Sequence, residues 1–190
     1  MQGHLYFIMG VTGSGKGTLR ANLKKENLEN LEFLKSYVTR EMRPWEINGD
    51  TYWFITLEEF ETGIKEHEFL EYEVNHKVAY YGTKNADVEA GLDAWKIIMK
   101  EIDTKGLKQL IEKNPDFRKH FTSFFLDVPN EEIRRRFYER NPDGKISDIE
   151  NRIESTTFER KQAKMYCDAI IDATQTPEEV LKEVLAIIKA

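Results

Sequence analysis

The sequence predicts an α/β fold in which helices cover both faces of a parallel β-sheet. Short apolar runs alternate with helix-forming segments along most of the chain, a pattern typical of strand–helix–strand units. The runs that we assign to strands are 5–9, 33–38, 95–99, 121–128 and 169–171. Hydrophobic residues make up 40% of the chain, which is enough to build a core around such a sheet.

Helix signals occur between these strands. We expect helices from Lys16 to about Lys25, from about Thr104 and from Asn130. The last helix has the clearest start. Thr176 is a suitable N-cap, Pro177 suits the first helical position, and the two glutamates that follow favour the positive end of the helix dipole.

Two segments interrupt the alternation. Residues 36–83 contain short aromatic and β-branched stretches at 51–56, 69–74 and 78–83 and one helical stretch at 58–68, which predicts a small mixed α/β insert. Residues 141–148, NPDGKISD, are rich in turn formers and predict a mobile lid between two helices.

Composition excludes several classes of protein. The net charge of −6 argues against long nucleic acid as a partner, and no apolar run reaches the roughly 18 residues that span a bilayer. The first ten residues are too short, and lack the basic region, for a signal peptide. With Cys167 as its single cysteine, the chain is expected to work in the cytoplasm.

The stretch GVTGSGKGT, from Gly10 to Thr18, lies between the first strand and the first helix. Glycines let backbone N–H groups converge on an anion, and a lysine at the following helix N-terminus adds positive charge. Gly10, Gly15 and Lys16 match G-x-x-x-x-G-K, the loop that holds nucleotide phosphates. Gly17 departs from the usual Ser or Thr, and the hydroxyl comes one residue later on Thr18. The alternative is a glycine-rich turn without a ligand.

Arg40 and Arg43 lie three residues apart before Pro44, which keeps the segment extended at Arg43. Two guanidinium groups suit a phosphate monoester better than two lysines would, and Tyr52 and Tyr81 can each add a neutral donor. An ordinary surface loop with solvated arginines is the alternative.

Four segments together resemble the guanylate kinase family. SYVTREMRPWEINGDTYWF and FLEYEVNHKVAYYGT follow the family's pattern S-x-x-T-R-x-x-R-x-x-E-x-x-G-x-x-Y-x-F, F-[IL]-E and Y-Y-G-[ST]. KEID at 100–103 and the arginines near 136–152 complete the match in family order. The resemblance implies a P-loop NTPase fold with a three-layer core and a single guanylate-kinase-like domain over 1–190. Its parts would be a core (1–35, 84–135 and 153–190), an NMP-binding insert (36–83) and a helical lid (136–152).

The family uses ATP and Mg²⁺ to phosphorylate GMP, and the resemblance implies roles for particular residues. The residues it assigns to ATP are Gly10, Val11, Thr12, Gly13, Ser14, Gly15, Lys16, Gly17 and Thr18, with Thr18 also a candidate ligand of Mg²⁺. The residues it assigns to the GMP phosphate are Arg40, Arg43, Tyr52 and Tyr81. Charge on the transferring phosphoryl group would be neutralised by Lys16, Arg136, Arg140 and Arg152.

The base assignment follows from the same resemblance. A carboxylate at Glu71 can accept from guanine N1–H and the 2-amino group, and hydroxyls at Ser36 and Thr83 can donate to O6. Adenine offers neither pattern, so a site built this way rejects it. Asp103, the second acidic position of KEID, would orient metal-bound water or contact the acceptor nucleotide, or else cap the helix that begins near Thr104.

Three departures from the family pattern bear on specificity and leave alternatives open. Trp45 replaces a glycine, Thr51 replaces an aspartate, and Asp172 stands where the family has an asparagine linked to adenine. The expected reaction is GMP, and also dGMP, to GDP or dGDP in a monomer or homodimer. The alternatives are a monophosphate kinase of altered base choice and a phosphopeptide-binding module without catalysis.

Overall fold

The computed structural model describes residues 3–75 and 79–189, which form a mixed α/β protein. In chain order the elements are β1 (His4–Gly10), α1 (Lys16–Lys25), β2 (Leu31–Phe33), β3 (Ser36–Val38), β4 (Tyr52–Phe54), α2 (Leu57–Lys65), β5 (Phe69–Asn75), β6 (Ala79–Lys84), α3 (Asn85–Asp93), β7 (Ile97–Glu101), α4 (Thr104–Lys113), a 3₁₀ helix (Pro115–His120), β8 (Phe121–Asp127), α5 (Asn130–Arg140), α6 (Ile146–Tyr166), β9 (Ala169–Asp172) and α7 (Pro177–Lys189).

The first sheet has five strands in the order β2-β7-β1-β8-β9. β8 and β9 pair in parallel, from Phe124 opposite Ala169 to Asp127 opposite Asp172. All five central residues of β1 are buried, because a strand in the middle of such a sheet is covered on both faces. The predicted α/β class with a parallel central sheet is confirmed.

The second sheet has four strands in the order β4-β3-β6-β5. β3 pairs in parallel with β4 and antiparallel with β6, and β6 pairs antiparallel with β5. α2 packs through Phe60, which is fully buried and stacks on Phe69 with 4.2 Å between ring centroids. The mixed insert predicted over 36–83 corresponds to this sheet, although its residues 76–78, where the last of its strands was predicted to begin, lie outside the described residues.

The chain forms two compact units. The first unit contains Glu32–Lys100 and Gly106–Phe121 with the start of the chain up to Leu5. The second unit contains Tyr6–Leu31, Glu101–Lys105 and the chain from Thr122 onward. The candidate acceptor residues from Ser36 to Thr83 belong to the first unit, and the glycine-rich loop and the lid arginines belong to the second.

The strand predicted over 33–38 is wrong, because two strands of different sheets share this run. Leu34 N–H donates to Met99 O at 2.9 Å beside β2, whereas Ser36 begins β3 and lies opposite Tyr52. An apolar run shows that a segment is buried, but it does not show which partner strand it pairs with.

The strand predicted at 95–99 starts two residues later, at Ile97. The preceding helix, α3, was not predicted, and its last turn extends into this run: Trp95 has φ 60° and Lys96 N–H donates back to Gly91 O at 3.0 Å. Trp95 and Lys96 therefore terminate a helix instead of beginning a strand.

The predicted helices are confirmed with small changes at their ends. α1 spans Lys16–Lys25 as expected, and α4 and α5 start at Thr104 and Asn130. α7 begins at Pro177, and Thr176 and Glu179 exchange the hydrogen bonds of a capping box. The polar segment predicted over 141–148 is shorter, because α6 already begins at Ile146. Within the described residues, no helix is both long and apolar enough to cross a bilayer.

Candidate active site

The glycine-rich loop joins β1 to α1 and has the backbone of a phosphate-binding loop. Gly13 and Gly15 have φ of 72° and 97°, in the left-handed region that side chains disfavour. A Cβ on Gly10 would lie 2.6 Å from Leu126 O, so only glycine lets the loop pass this close to β8. These three positions therefore need glycine for the loop to adopt its course.

The N-terminus of α1 is open to an anion. Its N-cap is Gly15, which offers no side chain to accept from the first helical N–H groups, and no acid lies in the first turn. Ser14 Oγ is buried and has no hydrogen-bond partner within the described residues. Bound phosphate oxygens would satisfy both the helix terminus and this hydroxyl.

Lys16 folds back over the loop that precedes it. Its Nζ donates to Gly10 O at 2.6 Å and to Val11 O at 3.2 Å. An ammonium has three N–H donors, so these two bonds leave one for a phosphate. Burial lowers the pKa of Lys16, while Glu101 and Glu159 oppose that shift. An incoming phosphate would add negative charge and favour the protonated form.

Gly17, unlike its neighbours, is not required by the backbone. A Cβ there would meet no atom within 4 Å. We predict that Gly17→Ser raises the free energy of unfolding by about 0.5 kcal/mol, since serine is the better helix former. The new hydroxyl next to Lys16 should also tighten binding of inorganic triphosphate, a probe for the anion-binding loop. Chemical denaturation and calorimetric titration measure the two effects.

Gly15→Ser is the matched control for this prediction. The same side chain at a φ of 97° should destabilise the protein and impair nucleotide binding. A destabilised Gly17→Ser protein would contradict the prediction.

A cavity of about 270 Å³ adjoins the start of α1. Five residues that the sequence assigned to the site line this cavity: Ser14, Gly15, Thr18, Arg136 and Arg140. Residues that were not predicted to lie there are Leu19, Arg135, Glu139, Ala173, Gln175, Pro177 and Val180. The cavity thus combines the helix N-terminus, three arginines and a partly apolar wall, a combination suited to a nucleotide.

Arg136 is held rigidly beside the loop. Its guanidinium donates to Gly13 O at 3.0 Å, to Ala173 O at 2.8 Å and to the Glu132 carboxylate at 2.6 Å. The guanidinium groups of Arg140 and Arg152 form no hydrogen bond or ion pair within the described residues, and Arg152 does not line the cavity. The three lid arginines are therefore not equivalent in this structure.

Arg134 and Arg135 carry no predicted role, but both are engaged. Arg134 forms a two-point ion pair with Glu150 at 2.7 and 3.0 Å, which joins α5 to α6. Arg135 bridges Glu132 and Glu139 on its own helix and lines the cavity. The run of charged residues in the sequence gave no signal that Arg134 would pair with α6 or that Arg135 would line the cavity.

The second group of candidate residues lies in a row across the four-stranded sheet. Ser36 lies opposite Tyr52, and Glu71 lies opposite Thr83. Tyr37 and Val38 face Gly82 and Tyr81, so the same register carried one residue further brings Ser36 beside Thr83. We call Ser36, Thr83 and Glu71 the base row, after the base-binding role that the sequence predicted for them. Adjacent strands lie roughly 4.8 Å apart, and members of one row share a face, so the three side chains converge.

Thr83 and Glu71 are hydrogen-bonded to each other. The buried Thr83 hydroxyl donates to Glu71 Oε1 at 2.5 Å. This bond differs from the expected role of Thr83 as a donor to guanine O6, because its only proton is directed at the carboxylate. Thr83 therefore orients Glu71 in this structure.

An aromatic and charged cluster adjoins the base row on the same face. Arg40 Nε donates to Tyr81 Oη at 3.1 Å, and its guanidinium lies over the rings of Tyr52 and Phe54. Two further Arg40 nitrogens donate to the Glu46 carboxylate at 2.6 and 2.5 Å. Glu46 was part of the sequence pattern but was given no role.

Arg43 completes this cluster from the loop after β3. Its backbone N–H donates to Glu46 Oε2 at 2.8 Å, and its guanidinium lies 6.0 Å from the centre of the Trp45 ring. The Arg43 side chain makes no hydrogen bond or ion pair within the described part of the chain. Arg43 therefore offers an available guanidinium, and Arg40 a preorganised one.

Glu46 makes a testable contribution to stability. The Arg40 hydrogen bonds lower the pKa of Glu46 from 4.5 to about 2. A depressed carboxyl pKa stabilises the folded state above pH 4.5, and this stabilisation disappears as the pH falls toward 2. We predict that Glu46→Gln loses less stability than the wild type between pH 5 and pH 2.5. Urea denaturation across that range measures it, and parallel losses would contradict the assignment.

Asp103 lies between β7 and α4, in the second unit, and the base row lies in the first. Glu101, the other acidic position of KEID, has its carboxylate 3.9 Å from the Arg20 guanidinium. Asp103 itself directly precedes Thr104, the first residue of α4.

The three departures from the family pattern have different surroundings. Trp45 is 75% exposed, and Thr51 lies in the exposed turn before β4. Asp172 accepts from Thr174 N and Oγ1 at 2.9 and 2.7 Å, so its carboxylate closes a turn, and these bonds lower its pKa. Asp172 does not line the cavity, whereas Gln175 does.

A metal site made of protein side chains alone is absent from the described residues, which hold no cluster of three or more His, Cys, Asp or Glu suited to a cation. Mg²⁺ takes oxygen ligands and retains several waters, with nucleotide phosphates supplying the rest. The Thr18 hydroxyl on the cavity wall fits this arrangement.

A parallel sheet with a glycine-rich loop between its first strand and a helix N-terminus defines a P-loop nucleotide-binding protein. The family model of guanylate kinases matches residues 2–190. A guanylate kinase of Campylobacter jejuni (strain RM1221) is 35% identical over 187 residues, covering 97% of this chain and 89% of the relative. One of Lactococcus lactis is 34% identical over 186 residues, covering 97% and 87%. The chain therefore belongs to the guanylate kinase family.

A solved structure has the same fold. The crystal structure of guanylate kinase from Anaplasma phagocytophilum matches with a TM-score of 0.73 at 24% identity, covering 99% of this chain and 85% of that one. The predicted family, enzyme class and P-loop fold are confirmed.

Proposed function

We propose that the protein transfers the γ-phosphoryl group of ATP to GMP, giving GDP and ADP, and that it accepts dGMP as well. The observation that carries this proposal is the row of Ser36, Thr83 and Glu71 beside the cluster around Arg40. The row presents a buried carboxylate and the Ser36 hydroxyl to a base, while the cluster presents two guanidinium groups and two phenols to a phosphate. A guanine monophosphate has complementary groups at both ends.

The donor nucleotide is proposed to occupy the cavity beside α1. Gly10 through Thr18 would surround its phosphates with backbone N–H groups, while Lys16 and Arg136 would neutralise charge on the transferring group. Arg140 and Arg152 would join them from the lid. We also propose the division given in the sequence analysis: a core (1–35, 84–135 and 153–190), an NMP-binding insert (36–83) and a helical lid (136–152).

Mg²⁺, when bound, would offset the negative charge of the nucleotide phosphates. Thr18 is the hydroxyl proposed to hold it, directly or through water. The protein's own residues bind, orient and neutralise; no general base is required for a phosphate monoester nucleophile.

The cellular setting is proposed to be the cytoplasm. Cys167 is half-buried, and its thiol lies 3.9 Å from Met9 Sδ, a packing role that suits a reducing compartment. The proposed partners are the small molecules GMP and ATP, with no nucleic acid or membrane, and the protein is a monomer or homodimer.

The decisive experiment is a coupled ADP-release assay with Mg·ATP across GMP, dGMP, AMP, CMP and UMP. GMP and dGMP should be used, and kcat/KM for AMP should be lower by roughly 10⁴-fold. Chelation of Mg²⁺ should abolish turnover. A preference for AMP, CMP or UMP would favour a kinase of altered base choice. Nucleotide binding without turnover would favour a phosphopeptide-binding module.

A further inference from the structure

Lys100 is a buried lysine that neither the sequence pattern nor the proposed reaction uses. It lies on β7 after three apolar residues, and only 3% of its surface is exposed. Its Nζ donates a short hydrogen bond to Ser36 Oγ, the first member of the base row. Burying an ammonium is costly, and an apolar side chain in the same place could not donate to Ser36, so the contact with Ser36 is one that requires the amine.

The hydrogen bonds of the base row distribute its protons unequally. The Thr83 proton is directed to Glu71, as described above. Ser36 accepts from Lys100, so its own hydroxyl proton remains for another acceptor. A hydroxyl that accepts from a cation is also polarised, which strengthens it as a donor. Ser36 is thus the hydroxyl of the row prepared to donate.

We infer that Lys100 is a positioning residue for base recognition, which fixes Ser36 as the donor to guanine O6 and sets the site against the 6-amino group of adenine. The inference rests on the proposed function, because it concerns the base of the acceptor nucleotide. Guanine O6 is an acceptor and gains from the positive charge behind Ser36. Adenine carries a donor at that position, which would point toward an electropositive hydroxyl.

Single-atom changes in the substrate can separate this role from a structural one. 6-Thio-GMP replaces O6 by sulfur, a weaker acceptor, and keeps N1–H and the 2-amino group. IMP keeps O6 and N1–H and lacks the 2-amino group, so it reports on Glu71. The variant is Lys100→Met, which retains an unbranched side chain without the charge. Lys65→Met, the same change at an exposed lysine of α2, is the control.

We expect Lys100→Met to lower kcat/KM for GMP by roughly 10- to 100-fold, the loss of one charge-assisted hydrogen bond. The loss for 6-thio-GMP should be smaller, and the ratio of GMP to IMP should stay unchanged. Ser36→Ala should show the same loss, and the double variant should lose little more, because the two residues act as one unit. Lys65→Met should leave all three substrates unaffected.

Equal losses for GMP, 6-thio-GMP and IMP would overturn the inference and make Lys100 structural. Unchanged kinetics with all three substrates would also overturn it, as would additive losses in the double variant. If the wild type fails to phosphorylate GMP at all, the proposed function fails first, and that outcome is visible before any variant is made.

Discussion

Lys16→Met is expected to reduce phosphoryl transfer by about 10²–10³-fold or more, the loss seen when a preorganised charge-stabilising donor is removed. Methionine keeps the length of the side chain but lacks the N–H groups that bind Gly10 O and Val11 O and that would bind a phosphate. The fold should persist, since Lys16 does not pack in the apolar core. Single-turnover kinetics and thermal denaturation measure the two quantities.

Lys25→Met provides the control, because it changes an exposed lysine in the last turn of the same helix. It should retain wild-type kinetics. Activity of Lys16→Met within threefold of the wild type would rule out the phosphate-binding assignment of the loop.

Glu71→Gln should make GMP a much poorer substrate, by about 2–4 kcal/mol in transition-state binding. The reason is that a charged hydrogen bond is lost and a guanine donor is left unpaired. The amide can still accept from Thr83 with its oxygen, so the buried bond is retained. In the proposed binding mode, the other oxygen becomes an NH₂ group that faces a guanine donor. AMP use should fall far less, because adenine does not satisfy that carboxylate.

The measurement is kcat/KM for GMP and AMP in both proteins, with Glu61→Gln, an exposed position of α2, as the matched control. Equal losses for the two bases would show that Glu71 holds the second sheet together and does not read the base.

Local signals account for what the sequence predicted well. The capping box of α7 requires only residues three apart, and the glycine-rich loop requires only nine, so both can be recognised without knowing the fold. The base row could be proposed only through the family resemblance, because Ser36, Glu71 and Thr83 are far apart in the chain. The register of β3, β6 and β5 is what aligns them.

The residues that were missed depend on tertiary contacts. A lysine in KEID is normally a solvated strand residue, and only the packing around β7 buries Lys100. Likewise, the run IRRRFYER does not distinguish Arg135 from its neighbours; the position of α5 beside the loop does. The division of 33–38 between two sheets depends on partner strands that come later in the chain.

The hydrogen bond between Leu34 and Met99 has a consequence for how this protein could be re-engineered. The chain leaves the first sheet after β2 and returns at Ile97, the start of β7, and Leu34 N–H donates to Met99 O in that strand. The segment between these residues is therefore an insertion whose two ends lie side by side. Lengthening such an insertion adds little to the entropy cost of bringing its ends together. A different substrate-reading module could be grafted at this junction without rerouting the chain on either side. In evolution, a change of specificity through this segment would require the replacement of only one continuous stretch of the gene.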